Sequence, residues 1–151
     1  MKKLLLIAVA IFGFSVFCFG SKALADAAEE KAARVPIENY LKGHATGEAE
    51  YMKKAFNPGA KIEGYGANGK FISWTLDEYI KGMSGKPSQD ESQRKRWIES
   101  VEISGKAAVA TLKFDYPTLR ITDYLLLLKI GDEWKIVNKI FQGEMKSEPR
   151  E

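Results

Sequence analysis

The sequence predicts an α+β fold in which helices and a small hairpin come first and a long antiparallel sheet follows. Three observations carry the prediction: apolar residues at helical spacing between Pro36 and Phe56, an explicit helix start at Thr75, and four strand-like segments in succession after Arg94.

The 151-residue chain opens with a leader pattern. Lys2 and Lys3 precede an apolar run from Leu4 to Gly20, and Ala23-Leu24-Ala25 is the small-x-small pattern after which a signal peptidase cuts. Residues 1–25 are therefore expected to be a cleaved export signal and residues 26–151 a single domain, periplasmic or secreted. Gly13 and Gly20 interrupt a run already short for a bilayer span, so no stable membrane insertion is expected after cleavage. The one cysteine, Cys18, leaves with the leader, so the fold must rest on its hydrophobic core without disulfides. Three of the 23 Lys and Arg residues (Lys2, Lys3, Lys22) also lie in the leader, which leaves basic residues equal in number to the 20 Asp and Glu. A balanced chain gives no electrostatic reason to expect nucleic acid as a partner.

Residues 26–34 hold strong helix formers but few large apolar residues, and Pro36 disfavours helical geometry at Val35, so they read as a loosely attached lead-in. The first helix is expected from Pro36 to about His44, with Ile37, Tyr40, Leu41 and His44 on one face. After Thr46-Gly47 a short helix buries Met52, Ala55 and Phe56 and ends at Asn57-Pro58-Gly59. Residues 60–74 read as two strands around Ala67-Asn68-Gly69. Thr75 and Glu78 form a capping box, with Trp74 placed to staple onto Tyr79, and that helix should end near Gly82 or Gly85. The polar stretch from Ser84 to Gln93 reads as a solvated connection, and the run Arg94-Lys95-Arg96 as a solvated strand edge. The remaining strands are separated by Ser104-Gly105, Pro117-Thr118 and Gly131-Asp132, each short enough for an antiparallel hairpin.

Two-residue turns at the last two breaks fix a pairing: Leu112 opposite Asp123, Leu125 opposite Asn138, Leu127 opposite Ile136, Tyr124 opposite Lys139. One face then collects Leu112, Phe114, Tyr116, Leu119, Ile121, Asp123, Leu125, Leu127, Ile136, Asn138 and Ile140, the seat for the helices. The other carries Tyr124, Leu126, Leu128, Val137, Lys139 and Phe141. An apolar patch with polar surroundings on that outer face predicts a homodimer, sheet against sheet, through those six residues.

The order of elements, with "YLKGHATGEAEYMKKAFNPGAKIEGY", "TLDEYIKGMSGKPS" and "FDYPTLRITDYLLLLKIGDEWKIVNKIF", resembles the nuclear transport factor 2-like superfamily and, within it, the putative lumazine-binding family. The resemblance implies a cone, a curved antiparallel sheet wrapped around N-terminal helices (a cystatin-like roll), in a superfamily that mixes isomerases, polyketide cyclases (SnoaL-like), dehydratases and non-catalytic binding or assembly domains. Similarity to the ketosteroid isomerases of this superfamily sets Tyr40 at their oxyanion-stabilising tyrosine and Asp123 at their protonated aspartic acid, donors that would stabilise an enolate. Their general base falls at Gly64, which cannot take a proton, and the neighbouring Glu63 should point to the opposite face.

Asp123 is the most informative residue, a carboxylate on an otherwise apolar face. Tyr40 and His44, one turn apart, could reach the same cavity, and Asn138 would add an amide. These, with Phe56, Trp74 and Tyr116 as apolar lining, are the expected ligand-binding residues. Tyr40, His44 and Asp123 are the candidates for catalysis. His44 is the only histidine, so no metal site is expected, and no glycine-rich nucleotide loop implies a cofactor. The leading expectation is an exported protein binding a small, partly apolar molecule in a largely apolar pocket. A proton-transfer enzyme of isomerase or cyclase type and a non-catalytic assembly module are the alternatives.

Overall fold

A computed structural model describes the backbone of residues 12–146 and the side chains of residues 26–146. Much of the expected leader, and all of its side chains, lie outside these residues. The chain divides into two compact units after Ala32, and the second holds everything that follows from Ala33. No helix among the described residues is long and apolar enough to cross a membrane.

Helix α1 spans Phe12–Thr46 with Pro36 inside it, so residues 26–34 are helical and not a loose lead-in. One local and one tertiary term explain this. The stretch rich in Ala, Glu and Lys favours helix, and proline removes one backbone bond while its ring joins Ala33, Ile37 and Tyr40 on the buried stripe. Gly47, with φ +73°, ends the helix by donating its N–H to the Gly43 carbonyl at 2.8 Å. Helix α2, Ala49–Ala55, buries Met52 and Ala55 as the spacing predicts.

Strand β1 (Phe56–Tyr65) starts earlier than expected, at the buried Phe56, and takes in Asn57-Pro58-Gly59 as an irregular stretch. It pairs with β2 (Phe71–Thr75) around a turn closed by Gly69 at φ +72°, with the Asn68 side chain accepting from the Lys70 N–H. Helix α3, Leu76–Lys81, has the anticipated capping box: Glu78 accepts from the Thr75 N–H at 2.8 Å and donates its own N–H to the Thr75 hydroxyl. The Trp74 and Tyr79 ring centroids are 6.0 Å apart, the geometry of a staple.

Strands β3 (Lys95–Ser104), β4 (Ala107–Asp115), β5 (Leu119–Ile130) and β6 (Glu133–Met145) form the predicted antiparallel meander. The whole sheet has the order β2-β1-β6-β5-β4-β3 and is mixed, because β1 runs parallel to β6. It is curved and does not close. Its inner face buries Ala110, Leu112, Phe114, Leu125, Leu127 and Ile136 against Ile37, Tyr40 and Met52 from the helices. Full burial of each such large side chain stabilises by about 1.5–3 kcal/mol.

The pairing of Leu112 with Asp123 and of Leu127 with Ile136 is as the turns predict. Between those points the strands slip: a bulge leaves Val137 unpaired, and Leu126, not Leu125, faces Asn138. One extra residue exchanges the faces of everything beyond it. Lys139 and Phe141, expected on the outer face, turn inward. Asn138 and Ile140, expected inside, turn outward, and Ile140 is 51% exposed.

Candidate functional site

Beneath the helices lies a buried polar knot. Tyr40 comes from the inner stripe of α1, Asp123 from the middle of β5, and Lys139 from β6 just past the bulge. The Tyr40 hydroxyl donates to Asp123 Oδ2, and the Lys139 ammonium donates to the Tyr40 oxygen while lying 3.1 Å from the same carboxylate oxygen. None of the three is more than 5% exposed. The ammonium is also caged by rings, 5.0 Å from the centroids of Tyr40 and Phe141 and 5.3 Å from that of Tyr79.

Burial pulls the Lys139 pKa down, but Asp123 and Tyr79 beside it together more than compensate, and the net direction is upward. Burial together with the Asp123 charge pushes the Tyr40 hydroxyl well above its ordinary range. The second Asp123 oxygen, Oδ1, is buried with no hydrogen-bond partner.

Above the knot, on the helix side, a cleft of about 490 Å³ opens between the end of α1, α2, α3 and the segment that follows α3. Gly43, His44, Gly47, Met52, Trp74, Glu78, Tyr79, Gly82, Met83, Ser84, Ser88 and Arg94 line it. The lining mixes apolar and polar groups. His44 sits at its inner end, its ring edge-on to Tyr40 with centroids 4.7 Å apart and 5.1 Å from Phe114. Its Nε2 lies 2.8 Å from the Tyr79 hydroxyl, a bond whose direction follows the tautomer. Burial, then the positive charges of Lys139, Arg96 and Arg94, hold its pKa well below the usual imidazole value, so the ring is neutral near pH 7. Burial raises the Tyr79 hydroxyl, opposed by the Lys139 charge.

On the remaining side the cleft is lined by Ser88 and Arg94, in the segment that leads into β3. Alternation along the strand sends Arg94, Arg96 and Ile98 to one side and leaves Trp97 half exposed on the other. Arg96 is thus no solvated edge. It bonds both Glu91 oxygens through Nη1 and Nη2, donates from Nε to the Tyr116 hydroxyl at 2.9 Å, and reaches the His44 carbonyl at 3.3 Å near the end of α1. The stretch Ser84 to Gln93 is likewise more than a solvated connection. Gly85 donates its N–H to the Gly47 carbonyl at 2.9 Å, and a 3-10 turn at Glu91–Gln93 delivers Glu91 to Arg96. A Cβ at Gly47 would stand 2.1 Å from the Lys86 carbonyl oxygen, so this close approach requires glycine.

Of the residues expected to share one site, Tyr40 and Asp123 meet, but they bond each other. His44 and Trp74 line the cleft. Phe56 is a core ring, 5.5 Å from Tyr40 and 6.4 Å from Tyr79. Tyr116 is buried under Arg94 and Arg96 outside the cleft lining. Asn138 pairs with Leu126 and Lys61, away from the inner-face position beside Asp123. Sequence reasoning missed Arg94, Arg96, Met83, Ser88 and the inward Lys139. The alternation of Arg94 and Arg96 was a usable signal, whereas nothing in the local pattern announces the bulge.

The isomerase-like arrangement does not recur around Gly64. A Cβ there would meet the Phe141 carbonyl oxygen at 2.1 Å, and Glu63 accepts from the Ser73 hydroxyl at 2.9 Å on the neighbouring strand.

Solved structures share this architecture. A nuclear transport factor 2-like protein of unknown function from Shewanella baltica superposes with a TM-score of 0.69 at 26% identity, over 78% of this chain and 95% of that one. Another, from Methylobacillus flagellatus, gives 0.65 at 25% identity over 80% and 94%. A protein with a cystatin-like fold from Caulobacter vibrioides gives 0.53 at 16% over 78% and 89%, a likeness of fold alone. No curated protein matches the chain. The family model described as "Putative lumazine-binding" matches residues 28–142, most of the sequence, and the chain therefore belongs to that family, within the nuclear transport factor 2-like superfamily.

Proposed function

We propose that this protein reversibly binds a small molecule in the cleft bounded by His44, Met52, Trp74, Tyr79, Met83 and Arg94. The observation that carries the reading is an open space of about 490 Å³, within the range of small-molecule sites, with a few polar groups set among apolar ones. Family membership supports ligand binding at that coarse level. The lining argues for a partly polar ligand and not a purely apolar one. Binding is favoured over proton-transfer catalysis because the Tyr40 hydroxyl and the Lys139 ammonium are both committed to Asp123 Oδ2 inside the fold, outside the cleft lining. A thermal-shift screen of small organic molecules tests the proposal. Hits should stabilise the wild-type protein and lose their effect in Met83→Trp, which fills the cleft. Hits indifferent to that substitution would defeat the reading.

A second element of the proposal is a homodimer through the outer sheet face. It is supported by Val109, Tyr124, Leu126 and Leu128, each 43–45% exposed, beside a hollow of about 530 Å³ lined in part by Val109, Leu126, Leu128 and Val137. The leader pattern supports action outside the cytoplasm, in the periplasm or beyond.

A further inference from the structure

We infer that the cleft selects a monoanion, a small organic acid whose carboxylate docks on Arg94 and whose apolar body lies against Trp74 and Met83. The inference rests on the proposed use of the cleft and adds the chemical class of its occupant.

The argument starts from how Arg94 is held. Its guanidinium carbon stands 4.3 Å from the centroid of the Tyr116 ring, and its Nε donates to Asp90 Oδ1 at 2.8 Å. One face and one donor are therefore committed. The terminal nitrogens Nη1 and Nη2 have no acceptor among the described residues. Arg96 next to it is the contrast, with all its nitrogens engaged by Glu91, Tyr116 and the His44 carbonyl. Two parallel donors on a side chain already immobilised by stacking match the two oxygens of a carboxylate, and little side-chain entropy remains to be lost on binding.

Position agrees with chemistry. Arg94, Ser84 and Ser88 line the cleft and also an adjoining hollow of about 440 Å³, so the guanidinium sits where the two spaces join. Other cleft acids do not compete for it: Glu78 is occupied by the Thr75 cap. The charge balance favours one negative charge over two. Arg94 is already paired with Asp90, Glu78 keeps its own negative charge at the cleft wall, and the rest of the polar lining (His44 and Tyr79, bonded to each other, with Ser84 and Ser88) is uncharged, which suits a carboxylate better than a phosphate dianion. At the other end, Trp74 is 38% exposed, and its ring with the Met83 side chain offers an apolar surface to a ring or short chain.

The test is titration calorimetry of the purified protein with an isosteric pair, 4-phenylbutyrate and 4-phenylbutanamide. The acid should bind at least ~10-fold more tightly, the lower end of what a charge-assisted hydrogen bond contributes. Arg94→Gln should bring the acid down to the affinity of the amide, and Arg94→Lys should keep part of the preference. Unfolding midpoints of both variants would confirm that they fold. Equal binding of the two probes, both lost in Met83→Trp, would overturn the anion inference and leave the cleft as a binding site. An acid preference that survives Arg94→Gln would overturn the role of Arg94. Binding of neither probe at millimolar concentration would count against cleft and charge class together.

Discussion

Lys139 lies 3.1 Å from Asp123 with both side chains buried, and it is there because a single unpaired residue, Val137, reverses the faces of β6. The ion pair occupies the part of the inner face where the sequence led one to expect a ligand pocket. The proposed ligand site is therefore the cleft beside His44 and not the sheet floor. Buried pairs of this kind stabilise little against apolar replacements, yet removing one partner leaves a bare charge.

Lys139→Met should therefore destabilise the protein by about 3–5 kcal/mol, whereas the triple change Tyr40→Phe, Asp123→Leu, Lys139→Met should recover most of that loss. Urea unfolding at neutral pH measures both. A single variant as stable as wild type would mean that the knot is not closed in solution.

His44 sets an acid limit on stability. Its folded pKa is depressed below 6.5 by burial and by Lys139, Arg96 and Arg94, so below that pH the unfolded chain takes up a proton that the fold refuses. Stability should be fully present above pH 6.5 and should decline as pH falls from there towards the folded pKa. The interval down to about pH 5 lies above ordinary carboxylate titration. His44 is the only histidine, so His44→Gln should flatten the slope of unfolding midpoint against pH in that interval. Equal slopes for wild type and variant would contradict this origin.

The proposed dimer makes a separate prediction. Leu126→Lys places a charge at the centre of the outer apolar patch and should convert a dimer to a monomer in light scattering with little loss of helical and strand signal. A wild-type protein that is monomeric at all concentrations would dismiss the interface.

Much of the fold was legible because each signal was local. The Thr75/Glu78 box, the helical spacing of Ile37 and Tyr40, and the turns at Pro117-Thr118 and Gly131-Asp132 all depend on neighbours within a few residues. The continuity of α1 through Pro36 was not legible, since burial of the proline ring is a tertiary term that propensity omits. The site was half legible. Asp123 was correctly placed on the inner face, but its partner Lys139 was assigned to the opposite one, because a bulge leaves no mark in hydrophobic alternation. Arg94-Lys95-Arg96 reads as a basic run, yet its every-second-residue spacing puts Arg94 and Arg96 on one side of the chain as it enters β3.

The central claim is that the cleft, and not the buried knot, holds the ligand, and native mass spectrometry of protein purified from its own host tests it most directly. The account predicts a retained small molecule in the wild type and in Tyr40→Phe, and its loss in Met83→Trp. Retention in Met83→Trp with loss in Tyr40→Phe would place the ligand at the knot and contradict the account.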